Sequence, residues 1–327
     1  MPEPVELDAA RAEQAGARLR ELRDALRKVV LGQDEVLDQI LVALLARGHV
    51  LLEGVPGTGK TLAVRALCRA LSVSFRRIQF TPDLMPTDVT GVSVFDERAR
   101  QFEFRRGPLF ADLVLADEIN RAPAKTQSAL LECMQERQVT VDGVTHPLSE
   151  LFTVLASQNP VEFEGTYPLP EAQLDRFLLK IVIGYPDAAS EEALLGRCAA
   201  GFDAADAATF GLEPLLSREE ALELRRLAGR VAVAPEIRAY VVALVRATRG
   251  DASVTLGGSP RAAVALFQSA QARALAAGRD FVVPDDVKEL AAPALRHRLV
   301  LTPDAEVEGV TADSRVAAAV AAVKAPA

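Results

Sequence analysis

One octapeptide dominates this 327-residue chain: Gly54-Val55-Pro56-Gly57-Thr58-Gly59-Lys60-Thr61 meets the pattern G-x-x-x-x-G-K-[ST] at every fixed position. Glycines let a backbone turn back so that successive N–H groups point inward at an anion, and a helix opening at the end of the loop adds the positive end of its dipole. Lys60 then reaches the terminal phosphates of a nucleotide, and Thr61 offers a hydroxyl to Mg²⁺. Such a loop needs a strand before it and a helix after it. His49-Val50-Leu51-Leu52-Glu53 reads as the strand, and residues 62–71 read as the helix. The expectation is an α/β fold around a bound nucleotide.

A chain of this length holds more than one such unit, and two domains are expected. With 50% hydrophobic and 25% charged residues and no apolar run near the length of a membrane span, it reads as a soluble protein. Met1-Pro2-Glu3-Pro4 has no basic start followed by an apolar stretch, so the cytoplasm is the expected compartment. The formal net charge of -8 weighs against constitutive nucleic-acid binding. Cys68, Cys133 and Cys198 are scattered, without a C-x-x-C pair, and are expected to be buried reduced thiols.

Ahead of the loop, residues 8–30 place Leu19, Leu22, Leu26 and Val29 or Val30 at helical spacing, and a second helix is expected over 35–46. After it, residues 74–80 read as a strand. Residues 81–108 then hold two short extended runs, 91–95 and 101–104, in the manner of an inserted hairpin. Inserts of this kind tend to carry function; the four arginines Arg98, Arg100, Arg105 and Arg106 suit a polymer-binding surface and a solvated strand edge about equally.

Leu113-Val114-Leu115-Ala116-Asp117-Glu118 is an apolar run of the kind buried on both faces of a parallel sheet, with two acids at the end where such sheets bind ligands. Downstream of a phosphate loop, Asp117 suits the Mg²⁺ shell, and Glu118 suits orienting and deprotonating a water for attack on the γ-phosphate. A helix over 125–137 leads to 138–146, where Asp142-Gly143 between β-formers is a strong hairpin signal. Residues 151–160 form another buried strand ending in Gln158-Asn159-Pro160. Asn159 suits a contact with the γ-phosphate or attacking water, or equally a turn before proline. After a last strand over 178–183, residues 184–187 read as the exit from the first domain.

The second half reads as mainly helical. Ser217-x-x-Glu220 is a capping box, Pro235 opens a further helix, and Ser259-Pro260-Arg261 supplies an N-cap, a first-turn proline and an arginine to a helix stopped by Gly278. Pro284 opens another, and residues 303–327 suit either a terminal helix or a tail.

Together these pieces resemble an AAA+ ATPase of the MoxR family over about residues 29–300. The carriers are Leu31-Gly32-Gln33, the octapeptide, Ala116-Asp117-Glu118-Ile119-Asn120-Arg121, Ala156-Ser157-Gln158-Asn159-Pro160, Glu171-Ala172-Gln173-Leu174-Asp175-Arg176-Phe177 and Ser259-Pro260-Arg261. The resemblance implies a P-loop AAA+ core over 29–186, with a parallel sheet flanked by helices and hairpin inserts near 87–106 and 138–146. A small helical lid domain over 187–302 follows, with an amphipathic helix over 1–28 before the core and a tail or helix over 303–327. It implies ATP or ADP bound through Gly54, Val55, Pro56, Gly57, Thr58, Gly59, Lys60, Thr61 and Asp117, with Gly32, Gln33 and Leu62 contributing. Mg²⁺ is held by Thr61 and, through water, Asp117. Glu118 polarises water, Asn159 is a first sensor, Arg176 a finger inserted into a neighbour's site, and Arg261 a second sensor whose action in its own or a neighbouring subunit stays open.

By the same resemblance the protein is a homo-oligomer, a hexameric ring, that remodels or matures client proteins, with a von Willebrand factor A domain partner and roles in metal or cofactor insertion. A magnesium-chelatase motor subunit, a nucleic-acid motor and an ATP sensor without hydrolysis are the rival readings. The acidic balance counts against the nucleic-acid motor, and Glu118 with Arg176 against the sensor.

Overall fold

The computed structural model describes residues 7–55, 57–159 and 165–326. Pro56 of the octapeptide and Pro160 after Asn159 therefore lie outside the described residues. Helix α1 (Ala9–Arg27) opens where the Asp8 carboxylate accepts the N–H of Arg11 at 2.7 Å, an N-cap. Helix α2 (Asp34–Leu45) buries nearly every residue from Val36 onward, because it lies between the sheet and the helices of the second half. Then come β1 (Val50–Glu53), α3 (Lys60–Ala70) and β2 (Phe75–Gln79). A short helix α4 (Pro86–Thr90), not expected from the sequence, leads into β3 (Gly91–Asp96) and β4 (Gln101–Arg106). The core resumes with β5 (Leu113–Asp117), α5 (Ala124–Glu136), the hairpin β6 (Gln138–Val141) and β7 (Val144–Pro147), β8 (Thr153–Gln158), α6 (Glu171–Leu174) and β9 (Leu179–Val182).

The five core strands pair in parallel in the order β2-β5-β8-β1-β9. Successive side chains of a strand point to opposite faces, so Leu113 and Leu115 join one apolar cluster while Val114 and Ala116 join another. β5 is buried at all five positions, as its unbroken apolar run requires. Because the strands are parallel and in register, the ends of β1, β5 and β8 open on one edge, and that edge carries the phosphate loop, the paired acids and Asn159.

The second half comprises α7 (Ala188–Ala199), α8 (Arg218–Ala228), α9 (Pro235–Arg249), β10 (Val254–Leu256), α10 (Pro260–Ala276), α11 (Pro284–Leu295), β11 (Val300–Leu301), α12 (Pro303–Val307) and α13 (Ala312–Ala322). Ser217 and Ser259 cap α8 and α10 as their sequences foretell. The β10–β11 pair and α7 are additions to the sequence reading. Residues 312–322 settle as a helix whose Val316 and Ala319 are buried. α7 buries no residue, so Cys198 is exposed; only Cys68 and Cys133 are the buried thiols expected of all three.

One apolar cluster runs without a break from the first sheet face through α1 and α2 into α8–α11. Two contacts fasten it. Arg225 of α8, 2% exposed, donates to the Leu44 carbonyl at 2.8 Å, the Glu150 carbonyl at 2.6 Å and Thr153 Oγ1 at 2.8 Å. Gly16 of α1 sits so close to Gly278 that a Cβ would lie 2.4 Å from its Cα, so only glycine fits there.

The β3–β4 insert projects with Phe95 and Phe102 edge-to-face at 5.3 Å, exposed at 49% and 73%. Nearer its base, Phe104 stacks on His146 of β7 at 4.2 Å, so the two hairpins touch through an aromatic pair. Asp142 and Gly143 both have positive φ, which is what the Asp-Gly turn of β6–β7 demands.

Candidate nucleotide site

The loop after β1 holds Gly57 at φ +85° and Gly59 at φ +83°, backbone conformations that side-chain-bearing residues rarely adopt. Gly54 is needed for space instead, since a Cβ there would meet the Ile183 carbonyl oxygen at 2.6 Å. Thr58 Oγ1 donates to the Val55 carbonyl at 3.0 Å and closes the turn. Lys60 at the first turn of α3 donates from Nζ to the carbonyls of Gly54 (2.6 Å) and Val55 (3.0 Å). Burial lowers its pKa, against the pull of Asp117 and Glu118.

A cleft of about 380 Å³ opens beside this loop, lined by Lys60, Thr61, Leu62, Asp117, Glu118 and Asn159. Its volume suits a nucleotide's phosphates and sugar. Ala204, in the segment after α7, also lines it, and Arg65 Nη1 holds that segment by the Ala204 carbonyl at 3.3 Å. The sequence offered no signal for this covering segment, because nothing local says where a loop returns.

Ser157 of β8 organises the acids. Its hydroxyl accepts the N–H of Glu118 at 2.9 Å and donates to Asp117 Oδ1. Glu118 turns the chain out of β5 with φ +55°, an uncommon conformation for a side-chain-bearing residue, and Gln79 Nε2 donates to its Oε2 at 2.8 Å. Arg121 Nε lies 3.2 Å from the same oxygen. Asp117 Oδ2 accepts from Arg77 Nε at 3.1 Å and Nη2 at 2.6 Å. Ser157 lay in the quoted Ala156–Pro160 motif without a role, and Gln79 and Arg77 were not singled out by the sequence; the latter two share one face of β2, whose register sets Gln79 beside Asp117.

Gly32 and Gln33 stand at the flank of the loop. Gln33 Nε2 donates to the Gly184 carbonyl at 3.0 Å, and a Cβ on Gly32, whose φ is +68°, would meet Ser190 Oγ at 2.8 Å. Both thus hold the exit of β9, which Gly54 touches through Ile183.

Arg176 and Arg261 do not line that cleft. They share a second cavity, of about 350 Å³, with Arg47, Arg137 and Arg298. Among the described residues neither takes part in an ion pair.

Residues 49–179 match the family described as ATPase family associated with various cellular activities (AAA), and residues 246–319 match the AAA lid domain. The chain is 44% identical over 317 residues to Chaperone MoxR1 of Mycobacterium tuberculosis, which covers 92% of this chain and 81% of that protein. The chain belongs to the MoxR family of AAA+ ATPases. It is also 49% identical over 301 residues, 92% of each chain, to the uncharacterized protein YeaC of Bacillus subtilis. A crystal structure from Cytophaga hutchinsonii, described as a candidate ATPase, superposes with a TM-score of 0.89 at 40% identity and 97% coverage of both chains. As a MoxR-family protein the chain is a nucleotide-binding ATPase with a chaperone-like general function. Among the described residues no helix is long and apolar enough to cross a membrane.

Proposed function

We propose that this MoxR-family ATPase assembles into a hexameric ring and couples Mg²⁺-dependent ATP hydrolysis to the remodelling or maturation of client proteins, including metal or cofactor insertion, with a von Willebrand factor A domain partner in the cytoplasm. Each nucleotide is held by one subunit through the 54–61 loop, Leu62 and Asp117, with Gly32 and Gln33 shaping the flank. Residues 29–186 act as the nucleotide-binding domain and 187–302 as the lid, with 1–28 and 303–327 as helical additions.

The observation that carries this reading is the separation of two arginines from the rest. Lys60, Thr61, Asp117, Glu118 and Asn159 meet in one cleft, whereas Arg176 and Arg261 meet in another cavity. An arginine finger that lies away from its own chain's phosphates suits action on a neighbour's, where such a group raises turnover by roughly 10³ to 10⁵. Lys60 binds the terminal phosphates, Asn159 orients the γ-phosphate or the water, and Glu118 takes the proton of the attacking water. Mg²⁺ keeps most of its waters and takes few protein ligands; here Thr61 and, through water, Asp117 would hold it, and it would neutralise phosphate charge.

The test is Mg²⁺-ATP turnover per subunit across a dilution series, with light scattering reporting mass in the same samples. Specific activity should fall as the assembly dissociates. Full activity in monomers would end the shared-site reading.

A further inference from the structure

We propose that Arg77 is a counter-ion latch on Asp117, occupying the carboxylate that a divalent cation needs and yielding it when the metal enters with nucleotide. This rests on the reading of Asp117 as the metal-supporting acid.

Both oxygens of Asp117 are already engaged. Ser157 Oγ takes Oδ1, and Arg77 takes Oδ2 with two N–H groups, at 2.6 and 3.1 Å. The Ser157 contact comes from a neutral hydroxyl on a buried strand, leaves the charge of the carboxylate in place, and fixes its orientation. The Arg77 contact is different in kind. It puts a full positive charge on the oxygen, in the paired N–H geometry that makes arginine a strong carboxylate partner. A hydrated dication beside Asp117 would want the same oxygen and would be repelled by the same guanidinium.

Arg77 is built to be displaced. It stands on β2, the edge strand of the sheet, and its side chain is 49% exposed whereas that of Asp117 is 12% exposed. Its second anchor is another half-free group, Gln79 Oε1, which accepts from Nη2 at 2.8 Å. Arg77 is also one of the residues lining the phosphate cleft, together with Lys60 and Thr61, so its side chain can leave Asp117 without leaving the site. A purely structural ion pair would not need to face the cleft; one that yields to metal must.

The experiment follows Mn²⁺ binding by the electron paramagnetic resonance of the free ion, with the full chain and a non-hydrolysable ATP analogue present. Arg77→Ala should bind Mn²⁺ roughly three- to tenfold more tightly than the parent, the range expected for releasing a half-exposed paired-hydrogen-bond contact. Arg77→Lys keeps the charge but not the fork, and should shift in the same direction by less. Thermal unfolding of each variant checks that the edge strand is intact. Unchanged or weaker Mn²⁺ binding by Arg77→Ala overturns the latch, as does parent-like binding by Arg77→Lys beside a tighter Arg77→Ala, since that would mean a long-range field rather than the contact. Absence of nucleotide-dependent Mn²⁺ binding in the parent would remove the assignment of Asp117 itself.

Discussion

Arg298 Nε donates to Asp175 Oδ1 at 2.7 Å, and this contact takes the carboxylate adjacent in sequence to Arg176. The pair is nearly dry on one side, with the Arg298 side chain 3% exposed and also donating to the carbonyls of Phe177 and Leu178 at 2.6 and 3.1 Å. Ser259, the N-cap of α10, adds a hydroxyl 3.2 Å from Asp175 Oδ2. One carboxylate therefore joins the segment carrying Arg176 to the helix carrying Arg261. Asp175→Asn should lower stability by about 2 kcal/mol, because a buried guanidinium loses its counter-charge. Urea midpoints should show that loss, and turnover should fall with it as the two arginines lose their common support.

A shared site makes two dead variants rescue one another. Lys60→Ala should lose nucleotide binding but still offer Arg176, and Arg176→Ala should bind nucleotide but offer no finger. Each alone should fall by a factor of about 10³ or more in turnover, while an equal mixture should recover about a quarter of parental activity if subunits assort at random. A mixture as inactive as its components would argue that Arg176 serves its own chain.

Glu118→Gln should bind ATP as well as the parent and stall turnover by two to four orders of magnitude, roughly the contribution of a positioned general base. Nucleotide affinity and single-turnover hydrolysis measured together separate the two effects. Equal turnover in parent and variant would remove the proton-accepting role.

Stability should decline as pH falls below about 6.5. His49 accepts the Val154 N–H at Nδ1 (2.9 Å), so its Nε2 carries the proton and donates to the Met134 carbonyl at 3.1 Å. Burial pushes its pKa down to about 3, with Arg137 adding to the shift. His297, near the Phe177 carbonyl at 3.0 Å, is driven the same way by burial and by Arg298. The unfolded chain takes up these protons near pH 6.5 and the folded chain does not, so stability is full above that pH. It drops below it by up to about 1.4 kcal/mol per pH unit for each histidine. Urea midpoints at pH 7.5, 6.5 and 5.5 test the slope, which His49→Gln should make shallower.

Replacing residues 92–104 by a short turn should leave basal ATPase nearly unchanged and abolish client remodelling. The insert carries its exposed Phe95 and Phe102 away from the cleft-lining residues and touches the neighbouring hairpin through Phe104. Loss of nucleotide binding on this replacement would show the hairpin to be part of the core instead.

Much of this fold is written in signals that act over a few residues. The glycines at 57 and 59 state their own backbone conformation, Asp142-Gly143 states its turn, and Ser217, Ser259 and Pro284 mark where helices start. The unbroken apolar run ending in Asp117 announces a strand covered on both faces. The segment between α7 and α8 escaped such reading. It has no strong period of its own, and it is held by contacts such as the Arg69 side chain on the Leu212 carbonyl at 3.1 Å.

The phosphate loop with its strand and helix, and the apolar strand that ends in Asp117 and Glu118, were legible from the residues alone, because each is specified within one or two turns of chain. The partners of the arginines, by contrast, are set only once the chain has packed. On α8, Arg225 reads like any charge on an amphipathic helix, yet it is buried against carbonyls more than 70 positions away. Arg77 and Asp117 are 40 positions apart, Arg298 and Asp175 123, and Arg176 and Arg261 share a cavity without touching in sequence. A guanidinium has five donors and a long stem, so its partner is whichever oxygen the packed chain delivers within reach, and no local pattern specifies which one that is.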